Sequence, residues 1–258
     1  VGLPVDIASE PQCGATSPVT MAGTLAQQTA EILGMVVISQ LVNPGTPVLM
    51  GTVAAAMDLR NGMIALGGVE AALLNVAHAQ MAQFYGIPSR GTGSNTESKI
   101  LDMQAGYEKA ITLSLPALAG INMIFYPGTM DHAMTVSLES LVIDHEICGM
   151  IDRVLKGVSV TEETIGLDLI DKVGPGGHYL NQKHTMKHLR EEHFLPKLSD
   201  RDSYEIWTEK GKRGIREHAK EQVKKILAEH IPPPLDSAVE KELLSIVQEV
   251  EKRSLGRT

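Results

Sequence analysis

Short apolar runs alternate with long, helically periodic stretches through the first 155 residues. The runs Pro4–Ala8, Pro47–Val53, Ile87–Ser89 and Ile121–Tyr126 are too short for helices and are bounded by Gly, Pro, Asn or Ser, the signature of buried strands. Between and after them lie four helical stretches, Met21–Val42, Val69–Tyr85, Leu101–Leu118 and Thr135–Leu155. Ser17 is placed to cap the first, with Pro18 at the first helical position, where its missing N–H costs nothing. Asn43-Pro44-Gly45 stops that helix, Asn61-Gly62 and Gly67-Gly68 mark breaks, Gly86 ends the second helix, and Pro116 lies near the end of the third.

Repeated strand-then-helix units predict an α/β fold with parallel strands joined by helical crossovers. About four units are half of an eightfold ring, so residues 1–157 are expected to form a partial (β/α)8 TIM-type barrel, with a flavodoxin-like doubly wound sheet as the rival. An isolated half-barrel exposes two strand edges and one sheet face. That predicts further N-terminal sequence or burial in a homo-oligomer, and the absence of an initial methionine at Val1 points to a processed or truncated product. From residue 158 the pattern changes to helices alone. Thr161–Val173 opens at a Ser159/Thr161-Glu162-Glu163 cluster, and Gly174-Pro175-Gly176-Gly177 is a turn. Lys183–Phe194, Arg201–Ile231 and, after Pro232-Pro233-Pro234, Leu235–Arg253 complete a helical appendage over residues 158–258.

Composition narrows the function classes. A chain of 258 residues with 43% hydrophobic and 21% charged residues is able to bury a sizeable core. A net charge of −8 argues against nucleic acid or an anionic membrane as main partner. Cys13 and Cys148 form neither a disulfide framework nor a metal knuckle, which suits a reducing cytoplasm. No basic-then-apolar leader opens the sequence. Gln27, Gln28, Glu31 and Gln40 interrupt Met21–Val42, which is therefore expected to be a buried core helix rather than a membrane span.

Candidate chemistry lies just past the carboxyl ends of the strands, where α/β proteins carry their sites. Ile121–His132 (INMIFYPGTMDH) ends in Thr129, Asp131 and His132. Asp131 and His132 read either as a polar wall of a site or as a helix N-cap with an exposed neighbour. Glu10 and Gln12 end the first strand; Glu10 suits a cation, or a loop salt bridge. Arg90 suits a bidentate carboxylate contact, or a bridge between strand ends. The loop Gly91–Ser98 (GTGSNTES) lacks the lysine of a phosphate loop and reads as a flexible substrate loop, with Asn95 and Glu97 its candidate residues. Phe125 and Tyr126 are expected on opposite faces of one strand, Tyr126 toward the mouth. His184 and His188 have the i, i+4 spacing of metal ligands with His193 nearby, but Thr185 stands where a zinc peptidase has glutamate; a solvated or partner-facing surface is the preferred reading, and no metal site is expected.

Four blocks then carry a resemblance: CGATSPVTMAGTLAQQTAE (Cys13–Glu31), NPGTPVLMG (Asn43–Gly51), YGIPSRGTGSNTESK (Tyr85–Lys99) and DKVGPGGHYLNQKHTMKHLR (Asp171–Arg190). In this order they resemble the trimethylamine:corrinoid methyltransferase family of one-carbon metabolism and methanogenesis, over roughly its carboxyl-terminal half. The resemblance implies a (β/α)8 barrel whose open end docks a corrinoid protein, with no tightly bound cofactor, and methyl transfer from a small methylated amine to cobalt(I). One branch carries pyrrolysine near the loop after Arg90. Ordinary residues stand here, Ser94, Asn95, Thr96 and Glu97, pointing to the branch lacking pyrrolysine, associated with glycine betaine. His132 and Asp131 are then expected to orient the donor, with Glu10, Gln12, Arg90, Asn95, Glu97, Tyr126 and Thr129 binding it. Tyr126 suits a quaternary ammonium, which aromatic faces recognise. Two alternatives are a truncated, non-catalytic barrel that binds a ligand or partner, and a metal-dependent barrel hydrolase using His184, His188 and His132.

Overall fold

A computed structural model of the chain describes residues 3–255. In chain order, the elements of the first half are β1 (Val5–Ser9), β2 (Gln12–Cys13), α1 (Met21–Val42), β3 (Val48–Thr52), β4 (Ala55–Asp58), β5 (Met63–Ala65), α2 (Val69–Tyr85), β6 (Ser89–Thr92), α3 (Met103–Leu118) and β7 (Met123–Phe125). They continue as β8 (Thr129–Met130), β9 (Thr135–Val136), α4 (Leu138–Leu155), α5 (Glu162–Ile165), α6 (Leu167–Val173), α7 (Lys183–Glu192), α8 (Tyr204–Glu209), α9 (Ile215–Glu229) and α10 (Ser237–Leu255).

β1, β3, β6 and β7 form one parallel sheet in that order, each strand added beside the one before it by a helical crossover. The fold is mixed α/β, as the alternating pattern requires. One face of the sheet is covered by helices: Ile7 and Met50 meet Ile32 of α1 and Ala82 of α2 in a buried cluster. Fully burying side chains such as Ile32 and Met50 is worth about 1.5–3 kcal/mol each. A polar seam runs through the same layer. His78 accepts from Gln28 at Nδ1 (2.8 Å) and donates from Nε2 to the Met50 carbonyl (2.8 Å), while Thr52 donates to Gln28 Oε1 (2.8 Å). Burial holds the His78 imidazole below its usual pKa, so it stays neutral in this seam.

α1 departs from the core helix expected. Only Thr24, Gln28, Thr29 and Ile32 are buried, while Met35, Val37, Ile38, Leu41 and Val42 are exposed. The physical reason is position: α1 flanks β1, which pairs only with β3, and among the described residues no strand continues the sheet beyond it. α1 is long and apolar enough to cross a bilayer by length and composition. Its inward stripe nevertheless carries the hydrogen-bonded Gln28.

Several local expectations are corrected. Thr20, not Ser17, occupies the N-cap of α1, and it makes no side-chain cap; Ser17 instead bridges to Cys13. Gly91 and Thr92 belong to β6, and Gly93–Thr96 are buried rather than flexible, because polar groups of α2 and α3 satisfy this backbone: Thr92 N–H donates to Asn75 Oδ1 (2.9 Å) and Asn95 N–H to Thr112 Oγ1 (3.0 Å). Asn61-Gly62 is the turn of a β4–β5 hairpin. α4 starts at Leu138, capped by Ser137, because Thr135–Val136 pairs back with Thr129–Met130. The helix expected over Thr161–Val173 breaks at Gly166, and Arg201–Ile231 is two helices separated by Gly211 and Lys212, both left-handed.

After α4 the described residues form helices and turns only. Residues 158–221 are nonetheless joined to what precedes them. The Glu146 carboxylate accepts the N–H groups of Lys197, Leu198 and Ser199 (2.9–3.0 Å), and Arg153 pairs with Glu192 (3.0 Å). Burial works to raise the Glu146 carboxyl, and these donors outweigh it, leaving it below the ordinary value. By compactness the chain divides into Val1–Glu221 and Gln222–Thr258. The second unit consists of the end of α9 and α10, whose Val239, Leu243, Ile246 and Val250 are exposed.

Candidate functional site on the open sheet face and its rim

Strand register assembles the first part of the site. Ala8, Gly51, Arg90 and Met123 stand side by side across β1, β3, β6 and β7. Gly51 is the gap in that row. A Cβ there would sit 2.6 Å from Asp6 Oδ1 and 2.9 Å from Ala8 Cβ, so only glycine lets the Asp6 carboxylate reach across β3. Arg90 Nε donates to Asp6 Oδ2 at 2.6 Å. The guanidinium also lies over the Phe125 ring, 4.2 Å from its centroid, a cation–π contact. Arg90 is 9% exposed and its Nη1 is buried with no hydrogen-bond partner among the described residues. A buried guanidinium normally completes its donors, so this one has capacity left for an acceptor.

Phe125 and Tyr126 do not alternate across a strand. β7 ends at Phe125, Tyr126 adopts φ 92°, and the two rings lie 4.0 Å apart with planes tilted by 36°. The left-handed backbone swings the second ring back beside the first, which overturns the expectation of opposite faces. Both rings pack against Val53, Ala55, Leu66 and Ala71 beyond the strand ends. Burial raises the Tyr126 hydroxyl pKa, Glu10 adds to the rise and Arg90 opposes it, so acid, arginine and tyrosine share one electrostatic neighbourhood.

The second part is the rim. Asp131, His132 and Ala133 are consecutive left-handed residues (φ 52°, 53° and 63°). Asp and His tolerate this conformation better than most and Ala gains nothing from it, so the turn stores strain of about 1–3 kcal/mol per residue. The strain is held by Asp131 N–H to Ser98 O (3.1 Å) and His132 N–H to Thr96 O (3.3 Å). Asp131 does not cap α4; it lies 3.3 Å from Lys99 Nζ. His132 Nδ1 donates to the Ile64 carbonyl (2.7 Å), fastening the β4–β5 hairpin to this turn, and lies 3.7 Å from Glu97. Glu97 accepts Gly67 N–H (2.7 Å), and burial, with Glu108 adding, lifts its carboxyl above the ordinary value. A cleft of about 620 Å³ opens here, lined by Glu97, Lys99, Glu108 and His132 together with the hairpin.

The remaining candidates are placed differently. Thr129 donates its hydroxyl to Tyr126 O (2.8 Å), which closes the turn, and its carbonyl faces Lys109. Asn95 is buried with both amide atoms unpartnered among the described residues. Gln12 lies in β2, where its carbonyl accepts three N–H groups of the following turn. His184 and His188 stack on each other (4.4 Å) beside Glu163, and among the described residues no three His, Cys, Asp or Glu side chains converge as a metal would need.

Sequence reasoning missed Asp6, Lys109, Glu108 and Asp144. Lys109 donates to Ser94 O (2.9 Å), Thr129 O (2.8 Å) and Asp144 Oδ2 (2.9 Å), and both ionic side chains are essentially buried. A signal was present: Lys109 shares a helical face with the buried Ala105, Thr112, Leu113 and Pro116, and lysine is rare on such a stripe.

The family described as trimethylamine methyltransferase (MTTB) matches residues 2–255. Among individual proteins, the chain is 42% identical over 248 residues to a glycine betaine methyltransferase of Desulfitobacterium hafniense strain Y51, covering 95% of this chain and 51% of that protein. It is 38% identical over 255 residues to trimethylamine methyltransferase MttB of Methanosarcina barkeri strain Fusaro, covering 99% and 51%. With MttB of Methanosarcina thermophila it shares 40% over 243 residues, covering 94% and 50%. The chain thus spans about half the length of the curated relatives it matches.

Proposed function

The chain belongs to the trimethylamine methyltransferase family, and from that premise we propose that its sheet is half of a (β/α)8 barrel whose mouth binds a carboxylate-bearing quaternary amine, glycine betaine or a close analogue, and passes a methyl group to the cobalt(I) of a corrinoid held by a partner protein. The observation that carries the substrate class is the unpartnered, buried Nη1 of Arg90, fixed by Asp6 and Phe125 beside the ring of Tyr126. Nη1 takes the carboxylate in a charge-assisted bond. The Tyr126 ring receives the methylated ammonium, and Glu10 supplies opposing charge. Asn95 has spare donors and acceptors for the same guest, while Gln12 and Thr129 shape the turns around it.

This chemistry asks little of the protein beyond alignment and exclusion of water. The corrinoid, when docked, supplies the nucleophile, with the C–N electron pair returning to nitrogen. A quaternary donor leaves as a neutral tertiary amine, so no proton has to be delivered. His132, Asp131 and Glu97 act as the rim that orients the donor and seats the β4–β5 hairpin over it. The parallel strands in sequential order support the half-barrel reading, as do the exposed Asp6, Ala8 and Met123 on the inner face and the exposed apolar side of α1. The remaining β/α units of a longer chain would cover these surfaces.

The test is a donor panel of glycine betaine, carnitine, proline betaine and trimethylamine, with the protein carrying this sequence and chemically reduced cobalamin, followed by the absorbance change on methylcobalamin formation. Turnover with carboxylate-bearing quaternary donors and none with trimethylamine is the expected result. A folded protein inactive on the whole panel overturns the reading, and binding without turnover favours the non-catalytic alternative.

A further inference from the structure

Two loops carry the candidate rim, Gly93–Asp102 after β6 and Tyr126–Ser137 after β7, and they meet at two levels. At the outer level, backbone bonds join Asp131 to Ser98 and His132 to Thr96. At the base, a single ammonium joins them. Lys109 Nζ, on α3, donates to Ser94 O of the first loop and to Thr129 O of the second, and its third proton goes to Asp144 of α4. Asp144 Oδ2 in turn accepts Gly128 N–H at 2.5 Å. Both anchor points fall where the backbone is left-handed or adjoins such a residue: Ser94 at φ 58°, and Gly128 at φ 89° just before Thr129. Gly128 takes its conformation freely, whereas at Ser94, where a Cβ is present, the left-handed backbone is one an unconstrained loop avoids. Lys109 is 1% exposed and Asp144 0%, so no substrate touches either of them.

We propose that Lys109, held by Asp144, is a positioning residue that fixes the spacing of the two rim loops, and with it the placement of Glu97 and His132 over the donor. The proposal rests on the rim reading above and adds a residue that does not face the site. Three donors meeting three acceptors from two loops and a second helix is more than core packing needs. Burial lowers the Lys109 pKa, and the Asp144 carboxylate opposes that shift in favour of the three-proton ammonium. Neutral lysine would donate only two protons and release one of the loops.

The test separates positioning from stability. Replacing the buried pair together, Lys109→Met with Asp144→Leu, leaves no orphaned charge, so the protein folds even where either single variant fails. Hydrogen exchange is then read on amides 94–98 and 128–133 and on the strands of the parallel sheet. Exchange in both loops is expected to accelerate at least tenfold, with the sheet amides unchanged. In the methyl-transfer assay, kcat is expected to fall at least tenfold with KM within about twofold. A folded double variant whose loops stay as protected as the parent's overturns the proposal, as does an unchanged kcat. If the parent transfers no methyl group, the exchange measurement still decides this proposal, while the function reading fails on its own.

Discussion

Lys109 and Arg90 are both buried cations facing an aspartate, yet every donor of the first is met and a donor of the second is left over. Around Lys109 every ammonium proton has an acceptor, and both partners of the ion pair are out of water. Around Arg90 one nitrogen is paired, the plane rests on Phe125, Nη1 has no partner among the described residues, and the Asp6 side chain is 41% exposed. A completed set of donor bonds on a buried cation specifies a structure, and it is complete at Lys109 even though Asp144 Oδ1 has no partner among the described residues. An incomplete one, oriented from two sides, keeps a donor in reserve, as the proposed substrate contact requires. The same chemical pairing therefore reads as architecture in one region and, under the proposed function, as recognition in the other.

The sharpest way to break this comparison is to remove half of each pair. Lys109→Ala or Asp144→Ala leaves a buried charge unpaired and is expected to cost about 3–5 kcal/mol, read by urea denaturation. Asp6→Asn is expected to cost clearly less, because the Asp6 side chain is 41% exposed and the amide oxygen of asparagine still accepts from the buried Arg90. Equal losses at the two positions would erase the distinction. Next in size, Arg90→Gln is expected to weaken binding of a carboxylate-bearing quaternary amine by roughly 1.5–3 kcal/mol, the usual worth of a hydrogen bond to a charged group, while a donor without a carboxylate is affected little. Titration calorimetry with glycine betaine and tetramethylammonium distinguishes the two.

Gly51→Ala tests how Asp6 is held. The new methyl group collides with Asp6 Oδ1 and Ala8, and overpacking of this kind costs about 1–3 kcal/mol. It also displaces Asp6 from Arg90, so betaine affinity falls along with the melting temperature. A variant that melts like the parent would mean the strands give way at no cost.

The smallest effect concerns pH at the rim. The Glu97 carboxyl is raised by burial, with Glu108 adding, so the folded protein keeps a proton that the unfolded chain releases above about pH 4.5, an ordinary carboxylate value. Stability contributed here is full below that pH and is lost as pH rises through the folded-state value. Glu97→Gln is expected to flatten this part of the stability profile and to leave its acid side unchanged, as seen in denaturation midpoints between pH 4 and 8. A profile parallel to the parent's would remove Glu97 from the account.

Legibility followed the range of the interactions. α1 and α2 match their expected ends, Met21–Val42 and Val69–Tyr85, because apolar periodicity and the Gly86 cap act within a few residues. The β4–β5 and β8–β9 hairpins escaped notice: their strands run two to four residues, too short for periodicity to register. The loop after Arg90 looked flexible because its composition is polar and glycine-rich. It is buried because Asn75 on α2 and Thr112 and Glu108 on α3 supply its hydrogen bonds, partners that no local pattern displays.

The sequence by itself determined the alternation of strands and helices, the parallel sheet that alternation demands, and the blocks that assign the family. Those properties reside in short stretches of chain and survive being read one stretch at a time. Tertiary structure alone decided that Arg90 meets Asp6 across a glycine, that a left-handed Tyr126 folds its ring against Phe125, and that Lys109 ties two loops together. Each of these depends on residues from different elements being brought within a few ångströms, and the geometry of that meeting is set by strand register and backbone sign rather than by the identity of any neighbour in the chain.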